Sequence, residues 1–344
     1  MILKVAGQKV DFFNNVGVSL RHDAVASGFA FTFAFNPENP VHKKICKPCA
    51  YYSCSIEHEG EILLTGTLLT ADFGTASVPE LVQLKGYSTT GVLEDSNIPD
   101  SVYPLQSDNI NLKDITERIL KPFGIKLVVD AAVAADASKV YKNSTGGDTQ
   151  SIKSYLSELA AQRNILITHN ERGELVFTRA KARQQSIFDF KQEETKGIKF
   201  MLNVNGQGMH SSISVQRQAN KRKLQAETEA SVSNPYAAAA FRPRVERQTS
   251  GDDLNTKLAA QNLVCAELQN IRLSIEIQSW TLGGKIVRPN SIVSVTNPQV
   301  YCYKRTDWFV EAVDFMGNES EQRCVLTCVL PEVYNGQVPK NIFE

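Results

Sequence analysis

Along the first quarter of the chain, apolar and polar positions alternate with the period of two that a half-buried strand requires. The clearest case is Phe29, Phe31, Phe33 and Phe35, interleaved with Ala30, Thr32 and Ala34. Comparable runs lie at 2–5, 16–20, 52–58, 62–73 and 81–87. Gly, Pro and Asn separate them, and Pro37-Glu38-Asn39-Pro40 is a clear break. The pattern predicts a β-rich region over 1–88, with the strand spacing of a small barrel or sandwich.

From residue 89 the period becomes helical. Asn111 followed by Asp114 has the form of an N-cap with an acidic third residue. Leu112, Ile115, Ile119 and Leu120 then make a stripe within a helix near 112–122 that ends at Pro122 and Gly124. A second helix near 150–163, starting at Asp148 or Thr149, carries Ile152, Tyr155, Leu156, Leu159 and Ala160 on one face. It leads into a hairpin over 165–178 with Gly173 in its turn. Region 89–190 is thus expected to be α+β, with the Ala-rich stretch 131–147 as an exposed loop.

Region 191–344 returns to β character. Ile271, Leu273, Ile275 and Ile277 alternate with Arg272, Ser274, Glu276 and Gln278, and 308–315 and 323–330 alternate as well. One helix near 252–269, capped by Ser250 or Asp252, places Leu254, Leu258, Cys265 and Leu268 on roughly one face. The stretch 217–250 carries a basic cluster (Arg217, Lys221, Arg222, Lys223) and Pro235 and Pro243, and reads as a long loop.

Composition narrows the function. The 344 residues have room for two or three domains, and the balance of 37 basic and 37 acidic side chains argues against a dedicated nucleic-acid or anionic-membrane binder. The balance is uneven: residues 1–100 carry 7 basic and 11 acidic side chains. The N-terminal sequence has no long apolar run, so no secretion signal is expected. No window approaches the roughly 20 apolar residues needed to cross a bilayer. Seven cysteines, an odd count in a chain with an ordinary core, are expected to be mostly reduced. Cys324 and Cys328 fall on one face of an alternating run and are expected to pack in the core.

Candidate chemistry is sparse. Gly206-Gln207-Gly208 lacks the third glycine of a dinucleotide fingerprint, and Asp252-Asp253 is accounted for by helix capping. The best metal grouping is His42, Cys46, Cys49, Cys54 and His58. Cys46-Lys47-Pro48-Cys49 has the spacing that lets a turn bring two thiolates onto one ion, but no second such pair completes four ligands. Packing in a loop and a strand is the alternative for these five residues. The basic cluster is followed by Glu227 and Glu229 and reads as a solvated or interface segment. Trp280 and Trp308 read as core or interface anchors. No catalytic, cofactor-binding or metal residue is assigned.

Along the chain, in order, run VGVSLRHDAVASGFAFTFAFNP, EGEILLTGTL, VQLKGYSTTGVLEDSNIP, LKDITERILKPFGIKL, DTQSIKSYLSELAAQRNILITHNERGELVFTRA, RPRVERQ, SWTLGGKIVRPNSIVSVTNP and LPEVY. In that order these phrases resemble the baseplate hub proteins of contractile-tailed phages, the Mu-like tail hub family related to the hub domain of type VI secretion spikes. The resemblance implies a mainly β chain with an α+β insert. Two tube-type β-barrel domains, 1–88 and 191–344, would flank an α+β domain, 89–190, in a pseudo-sixfold trimeric ring. It implies a structural, non-enzymatic role without cofactors: a symmetry adapter joining the sixfold tail tube to the threefold central spike, with a channel for DNA ejection.

The partners implied are further copies of the chain, the spike protein, tail tube or tube-initiator proteins, baseplate wedge proteins and the tape-measure protein. DNA would pass without specific binding, and no membrane anchor is implied. The location implied is the virion tail baseplate after assembly in the host cytoplasm. The insert 41–54 departs from the family pattern, so the resemblance gives Cys46 and Cys49 no role. The alternatives are a tail-associated cell-wall-degrading enzyme, which needs converging carboxylates, and a carbohydrate-binding tail module, which needs surface aromatics along a groove.

Overall fold

The computed structural model describes residues 1–75, 80–103, 110–141, 150–194, 197–217, 228–248 and 256–344. Contacts divide the chain into two compact units. The first comprises 1–179, 279–281 and 313–324; the second comprises 180–278, 282–312 and 325–344.

In the first unit, the alternating runs form β1 (Ile2–Val5), β2 (Gln8–Val10), β3 (Asn15–Arg21) and β4 (Gly28–Ala34), then β5 (Ser53–His58), β6 (Glu61–Gly74) and β7 (Leu81–Ser88). They pair in the order β3-β4-β7-β6-β5-β1-β2. The neighbours are antiparallel, with Phe31 opposite both Val16 and Leu84 and Leu3 opposite Ile56. Phe29, Phe31 and Phe33 are buried, as a strand with one bulky face requires. Gly86 has a packing reason: a Cβ there would collide with the Thr67 carbonyl and the Phe29 ring.

The Pro37–Pro40 break is also a helix start. Pro40 opens α1 (Pro40–Ile45), where a missing N–H costs nothing, and Asn39 Oδ1 accepts the Val41 N–H at 2.8 Å.

The unit continues with α2 (Val92–Asp95), α3 (Leu112–Leu120), β8 (Leu127–Val129), α4 (Ala134–Ala137), α5 (Ile152–Ala161), β9 (Leu166–His169) and β10 (Leu175–Thr178). The strands order as β8-β10-β9, with β8 parallel and β9 antiparallel to β10. The expected stripes Leu112/Ile115/Ile119 and Ile152/Tyr155/Leu156 meet in one core with Leu175 and Phe177. Asn111 caps α3 by accepting the Asp114 N–H at 2.9 Å, and Ser151, two residues past the expected start, caps α5. The exposed-loop expectation for 131–147 fails in its described part. Val133, Ala137 and Tyr141, spaced by four, are buried, and Tyr141 Oη donates to the Leu159 carbonyl at 2.7 Å. The remainder, 142–149, lies outside the described residues, as do the helix starts proposed at Asp148 and Thr149.

The second unit holds β11 (Phe188–Lys191), β12 (Lys199–Val204), β13 (Ser212–Arg217), β14 (Thr228–Ser233), β15 (Pro243–Gln248) and α6 (Thr256–Glu267). Then come β16 (Ile271–Ile277), β17 (Thr281–Leu282), β18 (Lys285–Ile286), β19 (Ser291–Asn297), β20 (Cys302–Gly317), β21 (Gln322–Val329) and α7 (Glu332–Asn335). The strands β12-β16-β21-β20-β19-β11 are neighbours in that order, with β11 parallel to β19. A separate sheet orders β14-β13-β15, with β13 and β15 parallel, and α6 packs on β13 and β14. Part of the stretch expected to be a long loop is therefore sheet. TEASVS and PRVERQ offer too few apolar residues to show it, and their pairing is non-local.

The helix expectation near 252–269 needs a further correction. Cys265 and Leu268 are buried, but Leu258 is 49% exposed, and Thr256, Ala260 and Val264 line the inner face instead. The proposed caps Ser250 and Asp252, with Leu254, lie outside the described residues.

Candidate functional site

The metal grouping read from the sequence does not converge. His42, on α1, is buried between the rings of Phe12 and Phe35, at 5.8 and 6.2 Å, and its Nδ1 accepts the Asn36 N–H at 3.0 Å. Cys54 and His58 do share the inner face of β5, but His58 packs edge-on against Trp280 at 5.1 Å. Burial pushes the Cys46 and Cys54 thiols up to about 12, so both are protonated at neutral pH. Cys49 is exposed. Among the described residues no three His, Cys, Asp or Glu side chains are placed to hold a metal ion. The two-residue spacing brings no ligand set together because Cys46 faces inward and Cys49 outward.

The other sequence candidates have structural roles. Gly206–Gly208 forms a single 3₁₀ turn capped by Asn205, and a Cβ on Gly208 would collide with the Asn270 side chain. Arg217 ends β13, while Lys221, Arg222, Lys223, Glu227, Asp252 and Asp253 lie outside the described residues. Cys324 and Cys328 are fully buried, as expected.

Trp280 and Trp308 are buried too. Trp280 Nε1 donates to the Met316 carbonyl at 2.8 Å, and Gly317 has no Cβ to collide with its ring. Trp280 lines an open cleft of about 320 Å³ with Asp11, Phe12 and Glu319.

One polar cluster escaped the sequence reading. Within the first unit, His169 on β9 sits 2.7 Å from Ser27 Oγ, in the β3–β4 connection. Its Nδ1 lies 3.0 Å from the Asn170 carbonyl, which can only accept. Nδ1 therefore carries a proton, and in the neutral ring Nε2 accepts the Ser27 hydroxyl. The Ser27 N–H donates to Ser88 Oγ at 3.1 Å, and Ser88 Oγ donates to the Val25 carbonyl at 3.1 Å. Thr90 Oγ1 also donates to the Val25 carbonyl.

Alongside, Thr65 Oγ1 donates to the Glu171 carbonyl at 2.8 Å, Thr168 Oγ1 to Ala24 at 3.2 Å, and Gly173 lies against Thr89, where a Cβ would clash. A serine hydroxyl bonded to a histidine has the first two members of a nucleophilic triad. Ser27 is only 2% exposed, so no substrate reaches it, and the cluster works as a seam fixing the β9–β10 hairpin to the β3–β7 strands. The signal in the sequence was the Ser88-Thr89-Thr90 run at the point where strand periodicity ends.

The same stretch, from that seam to the end of the hairpin, is where a known family is found: residues 90–179 match the model described as baseplate hub protein gp44-like, second domain. No curated protein sequence matches the chain. Solved structures extend the likeness to the whole length. The 43 kDa tail protein of prophage MuSo2 from Shewanella oneidensis is 19% identical with a TM-score of 0.80, covering 98% of this chain and 99% of that one. A tail protein from Neisseria meningitidis MC58 is 15% identical with a TM-score of 0.77, covering 98% of each chain. The E. coli protein c3393, a component of the type VI secretion system, is 10% identical with a TM-score of 0.53, covering 95% of this chain and 76% of that one. Residues 90–179 are thus similar to the second domain of gp44-like baseplate hubs, in a chain that has the fold of prophage tail proteins from end to end.

Proposed function

We propose that the chain is the structural hub of a phage tail baseplate. In this reading it is a homotrimeric symmetry adapter between the sixfold tail tube and the threefold spike, with the DNA channel along its axis. The observation that carries the reading is the coincidence of the hub-domain match over 90–179 with a tail-protein fold over 98% of the chain. The role is non-enzymatic. The one serine–histidine pair described above is sealed from solvent and serves as a joint.

The proposal divides the chain into tube-type barrels at 1–88 and 191–344 around the α+β domain 89–190, so that three chains supply six barrels. Neighbouring copies would complete exposed strand edges, which otherwise invite unwanted pairing. The proposed partners are the spike, tube or tube-initiator, wedge and tape-measure proteins. The proposed place is the virion baseplate after assembly in the host cytoplasm. Part of the net acidity of residues 1–100 would line the channel, where it repels rather than grips a polyanion.

Light scattering on the purified chain tests the assembly. The expected mass is about 114 kDa, three copies of a 38.1 kDa chain. A stable monomer throughout the micromolar range would sink the trimeric hub.

A further inference from the structure

The insert that departs from the family pattern builds a surface of its own. Helix α1 and the loop after it expose Lys43, Lys44 and Lys47. The nearby acid paired to them is Glu38, 3.8 Å from Lys43 Nζ, and Lys44 and Lys47 make no ion pair among the described residues. Around these cations lie partly exposed apolar side chains. Phe12 (44%) stacks on His42, and Val41 (37%) precedes His42 on the helix. Phe73 (45%) meets Phe35 edge-on at 5.0 Å, and Phe35 stacks on the other face of His42. Tyr51 (62%) and Leu69 (39%) line one small recess beside Ile45 and Cys46. Five partly exposed large apolar side chains clustered around one helix exceed the scattered singles of an ordinary surface.

The loop after α1 carries an unfavourable backbone at two positions. Cys49 and Tyr51 both have left-handed φ values, 59° and 47°, which cost energy for residues other than glycine. Tyr51, in that conformation, is turned outward.

We propose that this face docks an acidic polypeptide segment carrying an aromatic or aliphatic anchor. Charge complementarity selects the acidic partner, since the acid paired within the group Lys43, Lys44 and Lys47 is Glu38, on Lys43, while Asp11 beside Phe12 and Asp72 beside Phe73 are paired with Lys9 and Lys85. The surface favours a polypeptide over a membrane, because α1 has only six residues and the apolar groups come from several elements instead of one continuous stripe. Three lysines are also few for a nucleic acid, whose binding scales with the phosphates neutralised. The proposal concerns residues 40–52 and their neighbours and stands apart from the hub reading.

Cys49, the exposed thiol on this face, supplies a local readout on the full chain. The probe is a synthetic peptide of glutamates interspersed with tyrosine and leucine. Bound peptide should slow alkylation of Cys49 at least about tenfold, with the protection fading as salt is raised. The Lys43→Glu/Lys44→Glu/Lys47→Glu variant should lose the protection while keeping its circular dichroism. The milder Lys44→Gln/Lys47→Gln variant should lose part of it, and covers the case in which charge reversal disturbs folding. No protection by the peptide, equal protection in the substituted chains, or protection by phosphatidylglycerol vesicles in its place overturns the proposal.

Discussion

Helices α3 and α6 are both amphipathic, yet they are anchored by different means. α3 presents Leu112, Ile115 and Ile119 to a continuous apolar core, with Asn111 as its cap. α6 turns Thr256, Ala260 and Val264 inward and ends in Glu267, which is only 7% exposed. The Glu267 carboxylate accepts the His210 N–H at 2.8 Å, lies 2.7 Å from His210 Nδ1, and accepts from Arg244 at 3.1 Å. One helix is held by excluded water and can be read from side-chain periodicity. The other adds to its packing on β13 and β14 a polar tie to distant residues, which periodicity does not record.

Substitutions can break this contrast in graded steps. Ile119→Ala should cost most, about 3 kcal/mol, by emptying space in a fully buried apolar core, and denaturant unfolding would measure it. Glu267→Gln keeps the shape but sets an amide N–H₂ against donors, so a loss of about 2 kcal/mol is expected. A negligible loss there would mean that α6 is held by packing alone. Asn111→Ala removes only a cap and should cost about 1 kcal/mol.

His42 joins the two cases, since it is a polar anchor packed among aromatic rings. Burial holds its pKa below the ordinary imidazole value. Folded protein therefore binds fewer protons at this site than unfolded protein. The stabilisation is complete above the unfolded pKa of roughly 6.5 and is lost as pH falls through the lowered folded value. Protonation would also set an Nδ1–H against the Asn36 N–H. An NMR titration placing His42 at or above the ordinary value would break this account. Leu258→Ala should change stability least, by less than about 0.5 kcal/mol, because that leucine faces solvent.

The same contrast explains how far the sequence could be read. Strands β1, β3, β4, β6 and β7 were visible because Phe, Val and Leu alternate against small or polar neighbours, and α3 and α5 because their caps and stripes agree. Strands β14 and β15 were hidden: RPRVERQ carries part of the family resemblance, yet it contains one large apolar residue. Helix α1 was hidden by its own proline, which looks like a break unless Asn39 is seen to cap it. The Ser27–His169 seam joins residues 142 positions apart, and no local pattern encodes that distance. The Cys46–Cys49 spacing misled in the other direction, since spacing along the chain says nothing about which way each thiol points.

Strand β20 has a consequence for inheritance. Its 16 residues begin in one unit and end in the other, and the first unit is assembled from three separated stretches of chain. No single cut yields either unit whole. A fragment ending at Arg179 would lack Trp280 and the 313–324 segment, leaving His58 without the indole it packs against. A genetic exchange between relatives that swaps only the leading half would join a sheet to a foreign closing strand. Such a gene is therefore expected to travel entire, with its two units diverging in step.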